Sequence, residues 1–262
     1  MGCERGLFLT AALLAVFLCS DAITGGREAE AHSRPYMASL QVADGGRMKH
    51  ECGGFLVADQ WVMSAAHCFL SGSEGRKVVL GAHSLSEPED SKQTFNIVEV
   101  FSHPDFCTSN YDNDIALVKN LLCDWQLDRP IVASDAVKSL KFQRDQGADP
   151  DTDQEVNTAG WGSLNNLGSR PDKLQELVIA VMNRVRCGRS DYYGKKFTKN
   201  MLCAASTRSD TCDGDSGGPL LYNGVAVGIT SNGGKKCGSS RKPGLYTTIS
   251  HYSQWIDKTM TQ

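Results

Sequence analysis

The chain has 262 residues, of which 40% are hydrophobic and 22% charged, and its formal net charge is −3. This length suffices for one large domain or two small ones, and the composition is that of a globular protein and excludes a disordered chain. A net charge so close to zero gives no sign of a nucleic-acid-binding surface or a strongly acidic tail.

The first segment of the chain predicts a secretion signal. An arginine precedes an apolar run from Leu7 to Leu18, and small residues follow as far as Ala22. This run is short for a helix that spans a bilayer, which needs about 20 apolar residues, so a cleaved signal is favoured over a membrane anchor. We expect a signal peptide at 1–22 and a secreted, extracellular protein from 23 to 262.

Short apolar or alternating runs follow along the chain, separated by clusters of Gly, Pro, Asn or Asp. In order they are "YMASLQVA", "RKVVLGA", "FNIVEVF", "DIALVK", "ELVIAVM", "GVAVGITS" and "GLYTTI". Such runs, rich in Val, Ile, Leu and aromatic residues, predict an all-β sandwich or barrel. The polar stretch 144–155, "RDQGADPDTDQE", would connect two β units.

Only the C-terminal end of the chain predicts a helix. Ile249, Tyr252, Ile256 and Met260 recur at the spacing that places them on one face of an α-helix. We expect this helix at about 249–262.

The cysteine count predicts disulfide bonds. Ten cysteines are present, and Cys3 and Cys19 fall in the predicted signal. An even number remains in a chain expected to be secreted, which favours disulfides. Zinc binding is the alternative, but the close C-x-x-C spacing of a metal-binding knuckle is missing.

The segment 210–219, "DTCDGDSGGP", predicts a reactive serine. A serine hydroxyl is a weak nucleophile that needs a base to take its proton and donors to hold the oxyanion that it creates. Gly214 can adopt unusual backbone angles, so its N–H and that of Ser216 can point at one spot and form an oxyanion hole. The alternative is a glycine-rich turn without function.

His67 and Asp114 are the candidate partners of that serine. His67 lies directly before Cys68, whose disulfide would fix the position of the imidazole. Asp114 enters an apolar strand, where a carboxylate without a partner would be costly, and it would orient the imidazole. Asp112 is its nearest rival. The other histidines are expected to be ordinary surface or core residues: His32, His50, His83, His103 and His251.

The motifs "AAHC", "DNDIAL" and "GDSGGP", in this order, resemble those of the trypsin and chymotrypsin family of serine endopeptidases. The resemblance covers essentially all of residues 23 to 262. It implies two packed six-stranded antiparallel β-barrels, at about 23–140 and 150–248, followed by the C-terminal helix. The site would lie between the barrels, with the histidine and the aspartate from the first and the serine from the second.

The same resemblance assigns roles to further residues. Asp210 matches the base of the specificity pocket in members that cleave after Arg or Lys, and Gly244 matches an open pocket wall, together with Tyr246. Asp215 matches the residue that pairs with a newly formed N-terminal amine, which would be that of Ile23. Asp213 is expected to be a solvated charge without a firm role.

Activation would be unusual. No basic residue precedes Ile23; the preceding residues are Ser20, Asp21 and Ala22. We expect signal peptidase to cut directly before Ile23, or after Ser20 with later removal of the Asp-Ala dipeptide.

Thr230 and Ser231, with Asn232, fall where ordinary trypsins carry Ser-Trp-Gly in the strand that lines the substrate cleft. This departure resembles a narrowly specific member of the family. It implies that the segment binds substrate and that the protein has weak activity on small arginine substrates. The implied substrate is a protein held in a complex with an activated plasma protein. The protein would act as a monomer, without nucleic acid or membrane partners.

Six cysteines match family disulfides, as the pairs Cys52–Cys68, Cys187–Cys203 and Cys212–Cys237. Cys107 and Cys123 have no family role, and whether they pair is left open. Cys123 lies in a seven-residue insertion at 120–126, which is either an extra loop or a strain on the first barrel. No metal or cofactor is expected, since Ala82 and Lys92 replace the glutamates of calcium-binding members.

Two alternatives remain open. A granule-stored tryptic protease of leukocytes would share the three reactive residues. A catalytically inactive binding module on the same fold would not need them.

Overall fold

The computed structural model describes residues 26–120, 131–206, 210–234 and 236–261. Four sequence-based expectations concern residues outside this part of the chain: the signal peptide, the position of Ile23, the pairing of Cys123 and the structure of most of the insertion at 120–126. The described residues form two closed six-stranded antiparallel β-barrels and a short C-terminal helix, as predicted.

The first barrel closes in the order β2-β3-β4-β7-β6-β5. Its strands are β2 (Met37–Asp44), β3 (Arg47–Ala58), β4 (Trp61–Ser64), β5 (Lys77–Leu80), β6 (Gln93–Ser102) and β7 (Ala116–Asn120). A 3-10 turn at Ala66–Phe69 follows β4 directly. This turn carries His67, and Asp114 lies just before β7, so the two candidate residues flank adjacent, paired strands.

The second barrel is a ring of β8-β9-β10-β13-β12-β11 that closes by the pairing of β8 with β11. Its strands are β8 (Glu155–Gly160), β9 (Gln175–Val181), β10 (Met201–Ala205), β11 (Pro219–Tyr222), β12 (Val225–Asn232) and β13 (Gly244–Thr248). The N-terminal strand β1 (Arg27–Glu28) pairs with β9 and so ties the start of the described chain to the second barrel. A short helix α1 (Arg184–Cys187) follows β9.

Alternation in the sequence explains how the strands bury their apolar faces. In β9, Leu177, Ile179 and Val181 are buried, whereas Val178 between them is 56% exposed. The inward residues join a core of nine buried side chains in the second barrel. The seven runs identified in the sequence all lie in or overlap strands, and 144–155 follows β7 and ends at the first residue of β8.

The C-terminal helix is shorter than predicted. A 3-10 turn at Ile249–Tyr252 precedes α2 (Ser253–Met260), so only the second half of the segment is α-helical. Its apolar face is nevertheless the predicted one, because Ile249, Tyr252 and Ile256 are buried in the core cluster that also contains the first barrel. No helix in the described part of the chain has the length and apolar character to cross a membrane.

The three expected disulfides are present as Cys52–Cys68, Cys187–Cys203 and Cys212–Cys237. Cys107 forms no disulfide with a described residue, and its Sγ lies 3.1 Å from the Ser109 hydroxyl.

Candidate active site

The segment 210–219 packs against the first barrel through Gly53 of β3. The Gly53 amide donates to the Ser216 carbonyl at 2.7 Å, and a Cβ at Gly53 would lie 3.1 Å from the Gly218 nitrogen. At Gly217, φ is +85° and a Cβ would lie 2.2 Å from the Ser64 hydroxyl, so only glycine fits there. The serine is therefore fixed by direct contact with the opposite barrel.

The backbone of this segment leaves two amides unused. Among the described residues, neither the Gly214 N–H nor the Ser216 N–H donates a hydrogen bond, although the Asp215, Gly217 and Gly218 amides all do. Gly214 has φ +97°, a left-handed conformation that favours glycine. Two free amides beside a serine hydroxyl are what stabilisation of an oxyanion requires.

His67 is held by Asp114 through two hydrogen bonds. The carboxylate accepts from the backbone N–H of His67 at 2.9 Å and from its ring Nδ1 at 2.7 Å. Since a carboxylate only accepts, the ring proton is on Nδ1, and Nε2 is left to accept a proton from a hydroxyl. Nε2 and the Ser216 carbonyl both lie beside Cys68 Sγ, at 3.9 and 3.8 Å from it.

Asp114 is completely buried and is satisfied from both barrels. Ser231 donates to its carboxylate at 2.5 Å, and Thr247 Oγ1 donates to its backbone carbonyl at 2.9 Å. The rival Asp112 is engaged elsewhere, because it accepts from Thr198 Oγ1 at 2.6 Å and from Asn200 Nδ2 at 3.0 Å.

In the segment 230–232, which is expected to line the substrate cleft, two of the three side chains are buried. Thr230 and Ser231 are 4% and 5% exposed, so neither side chain reaches the cleft where a substrate would lie. Ser231 instead supports Asp114, and the Thr230 carbonyl accepts from the Gly217 amide at 2.7 Å. Asn232 is the exposed member of the three. It lines a cleft of about 530 Å³ next to Tyr111, whose ring packs edge-on against His67.

Asp210 begins the segment that carries Ser216 and is 1% exposed. Burial raises the pKa of its carboxyl to about 7, and it has no ion-pair partner among the described residues. A Cβ at Gly244 would lie 2.7 Å from Asp210 Oδ1, so a side chain at 244 would collide with this carboxylate. A buried carboxylate without a partner favours a cationic ligand.

Asp215 occupies a second buried carboxylate site. It accepts from the Gly162 amide and from the Cys212 amide, each at 2.8 Å. Burial raises the pKa of this carboxyl to about 6. Gly160 and Gly162 frame the site, since a Cβ at either glycine would collide with the carboxylate.

Sequence reasoning missed the role of His50, which was expected to be an ordinary residue. Its Nδ1 contacts the Ser39 hydroxyl at 2.8 Å, and its Nε2 contacts the Gly214 carbonyl at 2.9 Å. Burial lowers the pKa of this histidine to about 4, so it is neutral near pH 7. A carbonyl only accepts, so Nε2 carries the proton. No local motif could have indicated this contact, because 164 residues separate the partners.

The described residues offer one group with the composition of a metal site, Cys52, His67 and Cys68. Its two sulfurs form a disulfide and so cannot act as thiolate ligands. In the loop after β5, the Lys92 ammonium donates to the Leu85 and Glu87 carbonyls, so the chain supplies its own cation there.

Comparisons with known proteins agree with this geometry. The family model described as Trypsin matches residues 23–256. Granzyme M of Rattus norvegicus is 39% identical over 241 residues, covering 91% of this chain and 89% of the relative. Trypsin-4 of Rattus norvegicus is 36% identical, covering 97% and 96%. The solved structure of neuropsin, a serine protease expressed in the limbic system of mouse brain, has a TM-score of 0.77 at 35% identity, covering 90% and 98%.

Proposed function

Because the chain belongs to the trypsin family of serine proteases, we propose that it is a secreted endopeptidase that cleaves protein chains after arginine. Ser216 is the nucleophile, His67 acts first as general base and then as general acid, and Asp114 orients the imidazole. The amides of Gly214 and Ser216 form the oxyanion hole. The observation that carries the preference for a basic side chain is the buried Asp210 without a cationic partner in the described chain.

Each group has a defined part in the chemistry. Asp114 accepts from Nδ1–H and leaves Nε2 free to take the Ser216 proton as the hydroxyl oxygen attacks the scissile carbonyl. The negative charge that develops on the carbonyl oxygen is met by the two unused amides. His67 then returns the proton to the leaving amine, and water repeats the sequence on the acyl-enzyme.

The active state would depend on the new amine of Ile23, which would pair with Asp215. The buried carboxylate with its raised pKa supports this assignment, because a nearby ammonium would offset the cost of ionisation. The family match begins at residue 23. Sequencing the N-terminus of the secreted protein tests this step: Ile23 is expected, whereas Asp21 or a basic-site propeptide would contradict it.

We further propose a narrow specificity like that of complement factor D (adipsin). The stretches "ITGGREAEAHSRPYMASLQ", "LGAHSLSEPE", "RPDKLQELVIAVMNR" and "KPGLYT" resemble that protease. The substrate would be factor B bound to the activated third complement component, and the pathway would be the alternative pathway of complement in innate immunity.

The test is to incubate the mature protein with factor B, with and without the activated third component. A single cut after arginine that needs the third component is expected, together with slow hydrolysis of short arginine esters. Trypsin-like rates on such esters would contradict the narrow specificity while leaving arginine preference intact.

A granule-stored leukocyte protease is the second candidate, and the likeness to granzyme M favours it. Localisation distinguishes the two, since this candidate requires storage in leukocyte granules and the first requires constitutive secretion into plasma. The inactive binding module is disfavoured by the complete set of His67, Asp114 and Ser216. Failure of an organophosphate to label Ser216 in the mature protein would favour the inactive binding module.

A further inference from the structure

Arg170, in the loop between β8 and β9, joins three parts of the site. Its Nη1 donates to the His50 carbonyl on β3 at 2.6 Å, and its Nη2 donates to the Asp213 carboxylate at 2.8 Å. Its Cζ would lie 3.1 Å from a Cβ at Gly214, so the guanidinium lies directly against that glycine. The side chain is 27% exposed, although it belongs to a surface loop.

The contacts of Arg170 enclose one peptide unit. The Asp213–Gly214 peptide carries the Gly214 N–H, one of the two unused donors. Its carbonyl, that of Asp213, accepts from the Ser163 amide at 2.7 Å, and the following carbonyl, that of Gly214, accepts from His50 Nε2. Because glycine permits either orientation of this peptide, these contacts and Arg170 select the one that leaves the N–H free.

Arg170 contacts a residue on each side of the Asp213–Gly214 peptide. One guanidinium nitrogen holds the backbone of His50, whose ring holds Gly214, while the other holds the side chain of Asp213. A planar guanidinium presents two such donors in a fixed geometry, which a lysine ammonium does not. Asp213, expected from the sequence to be a solvated charge, is therefore the anchor of this contact, even though its side chain is 83% exposed.

We propose that Arg170 is a positioning residue for the hydrolytic reaction: by linking the Asp213 carboxylate to the His50 carbonyl, it holds the Asp213–Gly214 peptide with its N–H directed at the oxyanion. This inference rests on the proposed function, because it assigns the Gly214 amide to the oxyanion hole. It adds to that function a residue outside the motifs from which the site was identified.

The test compares Arg170→Gln with wild type and with Arg189→Gln. Arg189 is a matched control, because it forms an exposed ion pair with Asp191. Arg170→Gln is expected to lower kcat about tenfold, less than the roughly 10²–10³ lost when an oxyanion donor is removed outright. KM should change by less than about twofold, since the interaction strengthens in the transition state. Arg189→Gln should behave like wild type.

Two inhibitors separate positioning from a general structural effect. An arginine peptide aldehyde forms a hemiacetal oxyanion on Ser216, whereas benzamidine occupies only the pocket above Asp210. Arg170→Gln should weaken the aldehyde about tenfold and leave benzamidine unchanged. Equal weakening of both inhibitors, or a kcat within about twofold of wild type, would overturn the proposal. Arg170→Lys provides a second variant if Arg170→Gln does not fold, and should lose activity for the same reason.

The outcome is separable from that of the proposed function. If the wild type cleaves after a residue other than arginine, the Asp210 assignment fails, and the same comparison is made with the preferred substrate and its aldehyde. If the wild type cleaves nothing, a crystal structure of Arg170→Gln decides the question. An Asp213–Gly214 peptide in the wild-type orientation there would refute the positioning role.

Discussion

Binding of an arginine-like ligand to Asp210 should depend steeply on pH. The carboxyl has a pKa of about 7 in the unliganded protein because it is buried, and a cationic ligand binds its ionised form. Near pH 5 only about 1% of the protein would be ionised at this group, compared with about 90% near pH 8. The affinity for benzamidine should therefore be about 100-fold lower at the acidic pH, and binding near pH 6 should release close to one proton.

Calorimetry in two buffers of different ionisation enthalpy counts the protons released on binding. Near pH 6 the count should approach one, and near pH 8.5 it should approach zero. Asp210→Asn should bind weakly and release no proton, although Asp215 still titrates in the same range. Asp191→Asn, which changes an exposed aspartate in the same barrel, should match wild type. An affinity that stays constant between about pH 5.5 and 8, without proton release, would show that Asp210 is not the group that binds the cation.

Three further predictions concern single substitutions. Asp114→Asn should lower kcat by about 10⁴-fold through loss of the imidazole tautomer, while benzamidine titration finds the pocket unchanged; a loss below about tenfold would contradict the assigned role. Gly217→Ala should abolish organophosphate labelling or folding, because its Cβ would lie 2.2 Å from Ser64 Oγ. Gly224→Ala is the control, because Gly224 has φ +77° but nothing lies within 4 Å of the added atom. This control should lower the free energy of unfolding by only about 1–2 kcal/mol in a thermal unfolding experiment. Asp210→Asn should raise Tm near pH 8, by an amount corresponding to at most on the order of 4 kcal/mol, because burial raises the folded-state pKa from 3.8 to about 7. This gain should fade as the pH falls through 7 towards 4, and a pH-independent Tm difference would argue against it.

Local patterns in the sequence were sufficient for seven of the strands. Alternation in β9 marks its buried face. The motifs around His67 and Asp114 contain residues that the structure joins by hydrogen bonds, whereas Ser216 as the nucleophile stays a prediction. The strands that the sequence reading missed include β3, whose central Gly53 and Gly54 weaken a strand prediction. Gly53 is explained by the close approach of the second barrel, and Gly54 by the neighbouring Val62 and Met63 within the first barrel. No local pattern in the sequence records either contact.

Contacts between distant segments account for the rest. The Ser231–Asp114 bond spans 117 residues and the His50–Gly214 bond spans 164. Neither residue lies in a local motif that indicates its partner. Ser231 was therefore expected to line the substrate cleft, and His50 to be an ordinary surface or core residue. Arg170 shows the same limit, since its role depends on two acceptors that lie 120 and 43 positions away.

The dependence of Asp114 on Ser231 and Thr247 has a consequence for biosynthesis. The acidic residue is translated early, whereas the two hydroxyls that satisfy it lie near the end of the chain. A polypeptide still emerging from the ribosome therefore lacks a supported carboxylate behind its imidazole. If removal of the signal peptide alone activates the protein, as proposed, this late support would delay assembly of the catalytic residues until translation is almost complete.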